Sequence, residues 1–164
     1  MSLAGDLHRL LADDHRRLDG LLQACRDPAG RDADAYVAFR GGLLRHIAME
    51  EKVLLPAARR LRGGEPLPVA ARLREDHALL ASLLVPTPTA EILGLVRDVL
   101  TEHNALEEGT GGLYEACEAL AAGELDRLLA LLAAVPEVPL ARHFDGARVH
   151  AHIAELMRAR AQRG

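Results

Sequence analysis

The segment FRGGLLRHIAMEEKVLLPAARRL (39–61) decides the fold. Its apolar residues recur in steps of three and four, the spacing that lines one face of an α-helix. Followed along that face, the line reads Phe39, Leu43, His46, Glu50, Val53, Ala57, with Ile47 and Leu54 beside it. A histidine and a glutamate stand where a packed helix carries leucine. A buried carboxylate without a partner is strongly unfavourable, so Glu50 needs a cation. The helix is expected from about Asp34 to Leu61, ended by Gly63-Gly64-Glu65-Pro66.

The same pattern extends to both sides. A first helix, from about Ser2 to Cys25, places Leu7, Leu11, Leu18 and Leu22 on one face around His15, and Asp27-Pro28-Ala29-Gly30 ends it. A third begins near Pro68 and lines up Ala70, Leu73, His77, Leu80 and Leu84. Pro86-Thr87-Pro88-Thr89 then separates a fourth helix, capped by Thr87 or Thr89. It carries Ile92, Val96, Val99 and Leu100, then His103 and Glu107, and continues past Leu106. Strand alternation is missing throughout. Four long helices with short links predict an all-α, antiparallel up-down-up-down four-helix bundle over residues 1–122. Residues 123–164 read as a C-terminal helical extension packed on the same domain. It comprises a short helix from Glu124 to Ala134, a Pro136/Pro139 linker and a last helix from about Gly146.

Composition agrees. A chain of 164 residues is long enough to bury a core, and 49% of it is hydrophobic with only 2% aromatic. Leu and Ala must therefore fill the interior, which suits helices. The net charge of -4 is mild and well mixed, and predicts neither a nucleic-acid nor a membrane partner. No apolar run reaches membrane-spanning length and the N-terminus lacks a signal-like core, so a cytoplasmic protein is expected. Cys25 and Cys117 are too few for a disulfide scaffold and read as small buried residues.

Each of the four helices thus buries a histidine, and two add a glutamate one turn later: His15, His46-x-x-x-Glu50, His77 and His103-x-x-x-Glu107. Residues four apart stack about 6 Å along a helix, so their donors can converge on one ion with bonds of roughly 2.0–2.2 Å. A carboxylate, having two oxygens, can also bridge two ions. No lysine or arginine shares these lines. One His-x-x-x-Glu alone is ordinarily a solvated pair; the matched set predicts metal at His15, His46, Glu50, His77, His103 and Glu107. Imidazole with carboxylate favours iron, with manganese or zinc as substitutes. Glu51 and Glu108, one position past a ligand, are expected to be solvated or to stand behind the ligands. His8 reads as an end-of-core residue and His143, His150 and His152 as a poor chelate in the tail; Tyr114, about two turns past Glu107, reads as core packing before a hydrogen-bond donor or redox-active group approaching the site.

The order of these residues, with HIAMEEKVLLPAA (46–58) around the first Glu-Glu pair, resembles the hemerythrin-like or HHE cation-binding family over about residues 3–122. The resemblance implies two iron ions (Fe2+/Fe3+), oxo- or hydroxo-bridged, inside a bundle, with Glu50 and Glu107 bridging and the four histidines terminal. It implies a small diatomic ligand (O2 or NO) or peroxide at an open iron position, in sensing, detoxification or iron-centre repair. Oxygen-carrying members have a second histidine on the third helix. Here Leu73 and Ala81 flank His77 at that spacing, which speaks against oxygen carriage. A metal and small-ligand binding protein is expected before a dedicated catalyst. The alternatives are a peroxidase- or oxidase-like di-iron enzyme and a structural or regulatory bundle binding zinc. Gly109, Gly111 and Gly112, just past Glu107, are expected to break the fourth helix, either opening a route to the metals or packing against the tail.

Overall fold

Helices form wherever the three-four spacing runs uninterrupted, and the computed structural model describes them over residues 5–25 and 33–163. They are α1 (Asp6–Ala24), α2 (Ala33–Met49), α3 (Leu55–Leu61), α4 (Ala70–Leu83), α5 (Ala90–Glu108), α6 (Leu113–Leu120), α7 (Leu125–Ala133) and α8 (Ala147–Arg163). Among the described residues there is no strand, so the protein is all-helical. The expected start at Ser2 and the break at Asp27–Gly30 lie outside the described residues. Thr89 is the cap of α5: its hydroxyl accepts from the Ile92 amide at 3.2 Å. Thr87 instead bonds Asp145 through both its amide and its hydroxyl.

Helices α2 and α3 are joined by a π-helical turn, Glu50–Leu54, in which the Leu55 amide reaches back five residues to the Glu50 carbonyl. This corrects the expected core line. A π turn holds one residue more than an α turn, so beyond Glu50 the buried positions are Leu54, Leu55 and Ala58, while Val53 and Ala57 are only half-buried at the flank.

Helix α1 packs on α2, α5 and α6; α4 packs on α5 and α8; and α7 lies against the π turn. The apolar interior is in two parts. One is built around Leu7, Leu11, Leu54, Leu73 and Leu113, the other around Leu18, Leu22, Phe39, Leu80 and Val96. Each fully buried side chain of this kind contributes about 1.5–3 kcal/mol. The tail adds to both parts, through Leu125, Leu128 and Leu132 in the first and Ile153 in the second.

Two arginines of α2 hold the tail in place by satisfying carbonyls that a helix end or loop leaves free. Arg45 donates to the Val135 and Ala133 carbonyls, and the buried Arg40 donates to those of Leu84 and Ala141. At the start of α1, the Glu118 carboxylate of α6 accepts from the Gly5 and His8 amides, as suits the positive end of a helix. No described helix is long and apolar enough to cross a membrane.

Candidate metal centre

The boundary between the two apolar parts is a layer of six buried polar side chains. Helix α1 supplies His15, α2 supplies His46, and the first residue of the π turn is Glu50; α4 supplies His77, and α5 supplies His103 and Glu107. Both glutamates are fully buried at 0% exposure, so their charges must be met from within. The structure brings all six together as two groups, His15/His46/Glu50/Glu107 and Glu50/His77/His103/Glu107, each with donor atoms within 4.8 Å of one another.

Both groups use the same two carboxylates, and the oxygens divide between them. Glu50 turns Oε1 to His46 Nε2 at 3.3 Å and Oε2 to His77 Nε2 at 3.0 Å. Glu107 turns Oε2 to His15 Nε2 at 3.2 Å and Oε1 to His103 Nε2 at 2.7 Å. This is the geometry in which one carboxylate serves two ions.

Every histidine is held from behind. His15 Nδ1 donates to Glu108 at 2.5 Å, His46 Nδ1 to Asp14 at 2.8 Å, His77 Nδ1 to Glu51 at 2.6 Å and His103 Nδ1 to Asp76 at 3.3 Å. A carboxylate on Nδ1 fixes the tautomer and leaves the Nε2 lone pair for the centre. Glu51 and Glu108 thus stand behind two of the candidate histidines, and Asp14 and Asp76, which sequence reasoning missed, stand behind the other two. The signal for these aspartates was adjacency, since each directly precedes a lone histidine. The layer repeats itself: Asp14-His15 with His46, Glu50 and Glu51 matches Asp76-His77 with His103, Glu107 and Glu108. Arg160 of α8 reaches Asp76 at 3.1 Å, so the tail braces the carboxylate behind His103.

Residues 6–85 match the model of the hemerythrin HHE cation binding domain. Over those 80 of its 164 residues the chain is similar to that family. No curated protein and no solved structure matches the chain. The matched HHE segment holds one full half of the layer and the His77 pair, but ends before His103 and Glu107. The second half is therefore placed by the geometry alone.

The donor set of the HHE centre fits a cation. Glu107 Oε1 is buried without a hydrogen bond although His103 Nε2 stands 2.7 Å away. The His15 and His46 Nε2 atoms face each other at 2.9 Å. Lone pairs that converge this closely need a positive charge between them. Without metal, protons fill the role. Burial disfavours a charged His46, but the Glu50 carboxylate and the Asp14 hydrogen bond outweigh it and raise the imidazole to about 10. Burial likewise opposes charge on His77 and His103, while hydrogen bonds and charge from Glu107 and its neighbours lift them to about 10 and about 9. Glu50 and Glu107 are held below the usual carboxylate range: burial and their mutual repulsion push up, and the histidines facing them win.

These directions set a pH window for the metal-free protein. Histidines raised from 6.5 contribute stability that is whole below pH 6.5 and lost as pH climbs through about 9 to 10. Carboxylates lowered from 4.5 contribute stability that is present above that value and lost as pH falls below it. The urea midpoint of chelator-treated protein should be highest between these limits and fall on both sides. A midpoint that stays level from pH 7 to 10 would refute the paired state.

Of the two readings of Tyr114, packing and approach to the site as a hydrogen-bond donor, the structure shows the second together with the first. Tyr114 is fully buried, and its hydroxyl donates to Glu50 Oε1 at 2.7 Å, with His15 Nε2 at 3.0 Å. On a continuous α5 it would lie about 10 Å beyond Glu107. Instead α5 stops at Glu108, Gly111 takes φ 74°, and α6 returns along α1 and α5. The turn brings Tyr114 back to the centre, and a Cβ at Gly109 or Gly112 would meet backbone of α5 and of the turn itself rather than the tail. His8 sits at the end of this arrangement, donating to the Glu108 carbonyl and meeting the Tyr114 ring edge-on.

Proposed function

We propose that this chain is a non-haem di-iron protein that binds O2, NO or peroxide at an open iron position, acting in sensing, detoxification or repair of iron centres. Its partner on this reading is the small molecule itself. Residues 1–122 form an up-down-up-down bundle and residues 123–164 an extension packed on it. The observation that carries the reading is the division of each buried carboxylate between two histidine pairs, which asks for two cations. His15 and His46 would hold one, His77 and His103 the other, and Glu50 and Glu107 both. Iron bound there supplies redox chemistry and affinity for small ligands. The protein fixes the donors, excludes water and limits what enters.

A cavity supports the small-ligand part. It has a volume of about 80 Å³ and is lined by leucines such as Leu18, Leu22 and Leu80, by polar residues such as Thr101 and Asn104, and by His15, His46 and His103. A water needs about 10–15 Å³ of such space, whereas pockets for drug-sized ligands run to about 300–1,000 Å³. The space holds a few water-sized molecules, ample for a diatomic or peroxide and too small for a drug-sized ligand. Metal content and the near-ultraviolet spectrum of freshly purified protein test the reading. About two irons per chain, with charge-transfer absorption that changes on adding O2, NO or peroxide, is the expected result. Steady turnover of peroxide would move the reading to an enzyme, and zinc with no response to any of the three would overturn it.

A further inference from the structure

We propose that the Tyr114 oxygen is itself a metal ligand, the fifth protein donor to the ion held by His15 and His46. The inference rests on the two-metal reading above and adds a residue to it. Four polar atoms surround the phenol oxygen: Glu50 Oε1 at 2.7 Å, His15 Nε2 at 3.0 Å, Glu107 Oε2 at 3.1 Å and His46 Nε2 at 3.3 Å. One O–H can satisfy one acceptor well, and it cannot serve four. With Nδ1 donating to Asp14 or Glu108, a neutral imidazole turns only its Nε2 lone pair to the phenol, and without metal it takes a second proton on each ring for these nitrogens to donate to it.

The spacing has a simpler source. An ion with bonds of 2.0–2.2 Å holds neighbouring donors about 3.0 Å apart, the edge of an octahedron. The four separations around the phenol oxygen fall near that value. So do His15 Nε2 to His46 Nε2 at 2.9 Å, His15 Nε2 to Glu107 Oε2 at 3.2 Å and His46 Nε2 to Glu50 Oε1 at 3.3 Å. Three separations among the four other atoms thus match an octahedral edge, and the phenol oxygen stands near all four.

Internal comparison strengthens the assignment. The two halves of the layer match residue for residue in histidines, glutamates and carboxylates behind them, and differ in Tyr114. The other tyrosine, Tyr36, lies in the second apolar part beside Phe39 and His143. The centre is therefore unequal, with five protein donors on one side and four on the other. The His77/His103 ion is left with the fewer protein donors. On binding, the phenol O–H bond breaks, an oxygen–iron bond forms and the proton leaves to solvent, with no electron transferred.

The test is resonance Raman and visible absorption of the iron-loaded full chain, made with ordinary and with ring-deuterated tyrosine. A visible phenolate-to-iron band with enhanced ring vibrations that shift on deuteration is expected. It should vanish in Tyr114→Phe, which keeps about two irons, and persist in Tyr36→Phe. Two irons without such a band in the native protein, or a band that survives Tyr114→Phe, overturns the assignment and leaves the di-iron reading standing. No bound iron in the native protein overturns both.

Discussion

Glu50→Ala is expected to empty both halves of the centre rather than one. A histidine serves a single group, but Glu50 belongs to both and gives each a different oxygen. Its loss leaves the second ion with two imidazoles and one carboxylate oxygen, and the first with those and the Tyr114 oxygen. Ligand linkage sets the scale: metal at a thousandfold excess over its dissociation constant stabilises the fold by about 4 kcal/mol. That increment should disappear, so that melting no longer responds to iron or to chelator. The metal-free variant is weakened as well, because His46 and His77 lose the carboxylate that pairs their charge. Breaking a buried pair costs about 3–5 kcal/mol. Metal analysis with melting curves, with and without chelator, checks both parts. A variant that keeps one iron per chain would mean that Glu50 serves one half only.

Gly112→Ala should be the most damaging single methyl group in the chain. A Cβ there would stand 2.6 Å from the Leu106 carbonyl oxygen, 2.7 Å from that of Gly109 and 2.8 Å from that of Glu107. All three are backbone atoms at the close of α5, so none can swing aside as a side chain would. The turn has to open, and Tyr114 moves with it. Strain and overpacking together place the loss at about 3 kcal/mol, a fall in melting temperature of roughly 6–12 °C for a domain of this size. Gly123→Ala is the control, since its added Cβ meets nothing within 4 Å. Equal melting of the two variants would refute the close-approach argument.

How much of this was legible in the sequence follows from which signals have a period. The helices and the six buried polar residues were, because burial repeats every three or four positions and a histidine or glutamate in that rhythm stands out. Asp14 and Asp76 lay off the rhythm. Each sits about 100° around its helix from the adjacent histidine, which by itself points it away from the ion. Only the neighbouring helix, arriving with His46 or His103, gives it a role. Tyr114 was legible only as the lesser of two readings: a continuous helix carries it away from the centre, and three glycines signal a break without giving the direction of return. The π turn left no mark at all. Glu-Glu-Lys-Val-Leu suits an α-helix as well as a π one, and the choice is made by packing on either side of Glu50.

That turn also has a meaning in chain length. From Glu50 to Leu61 the path carries one residue more than an unbroken α-helix needs to keep its downstream face inward. Lys52, in the middle of the surplus, is exposed. A chain without it would run as ordinary α-helix through this stretch and still present Leu54, Leu55 and Ala58 to the interior. Glu51 would still follow Glu50 directly. Elsewhere in these helices a one-residue deletion turns everything beyond it by about 100°; here the deletion removes a surplus that already exists.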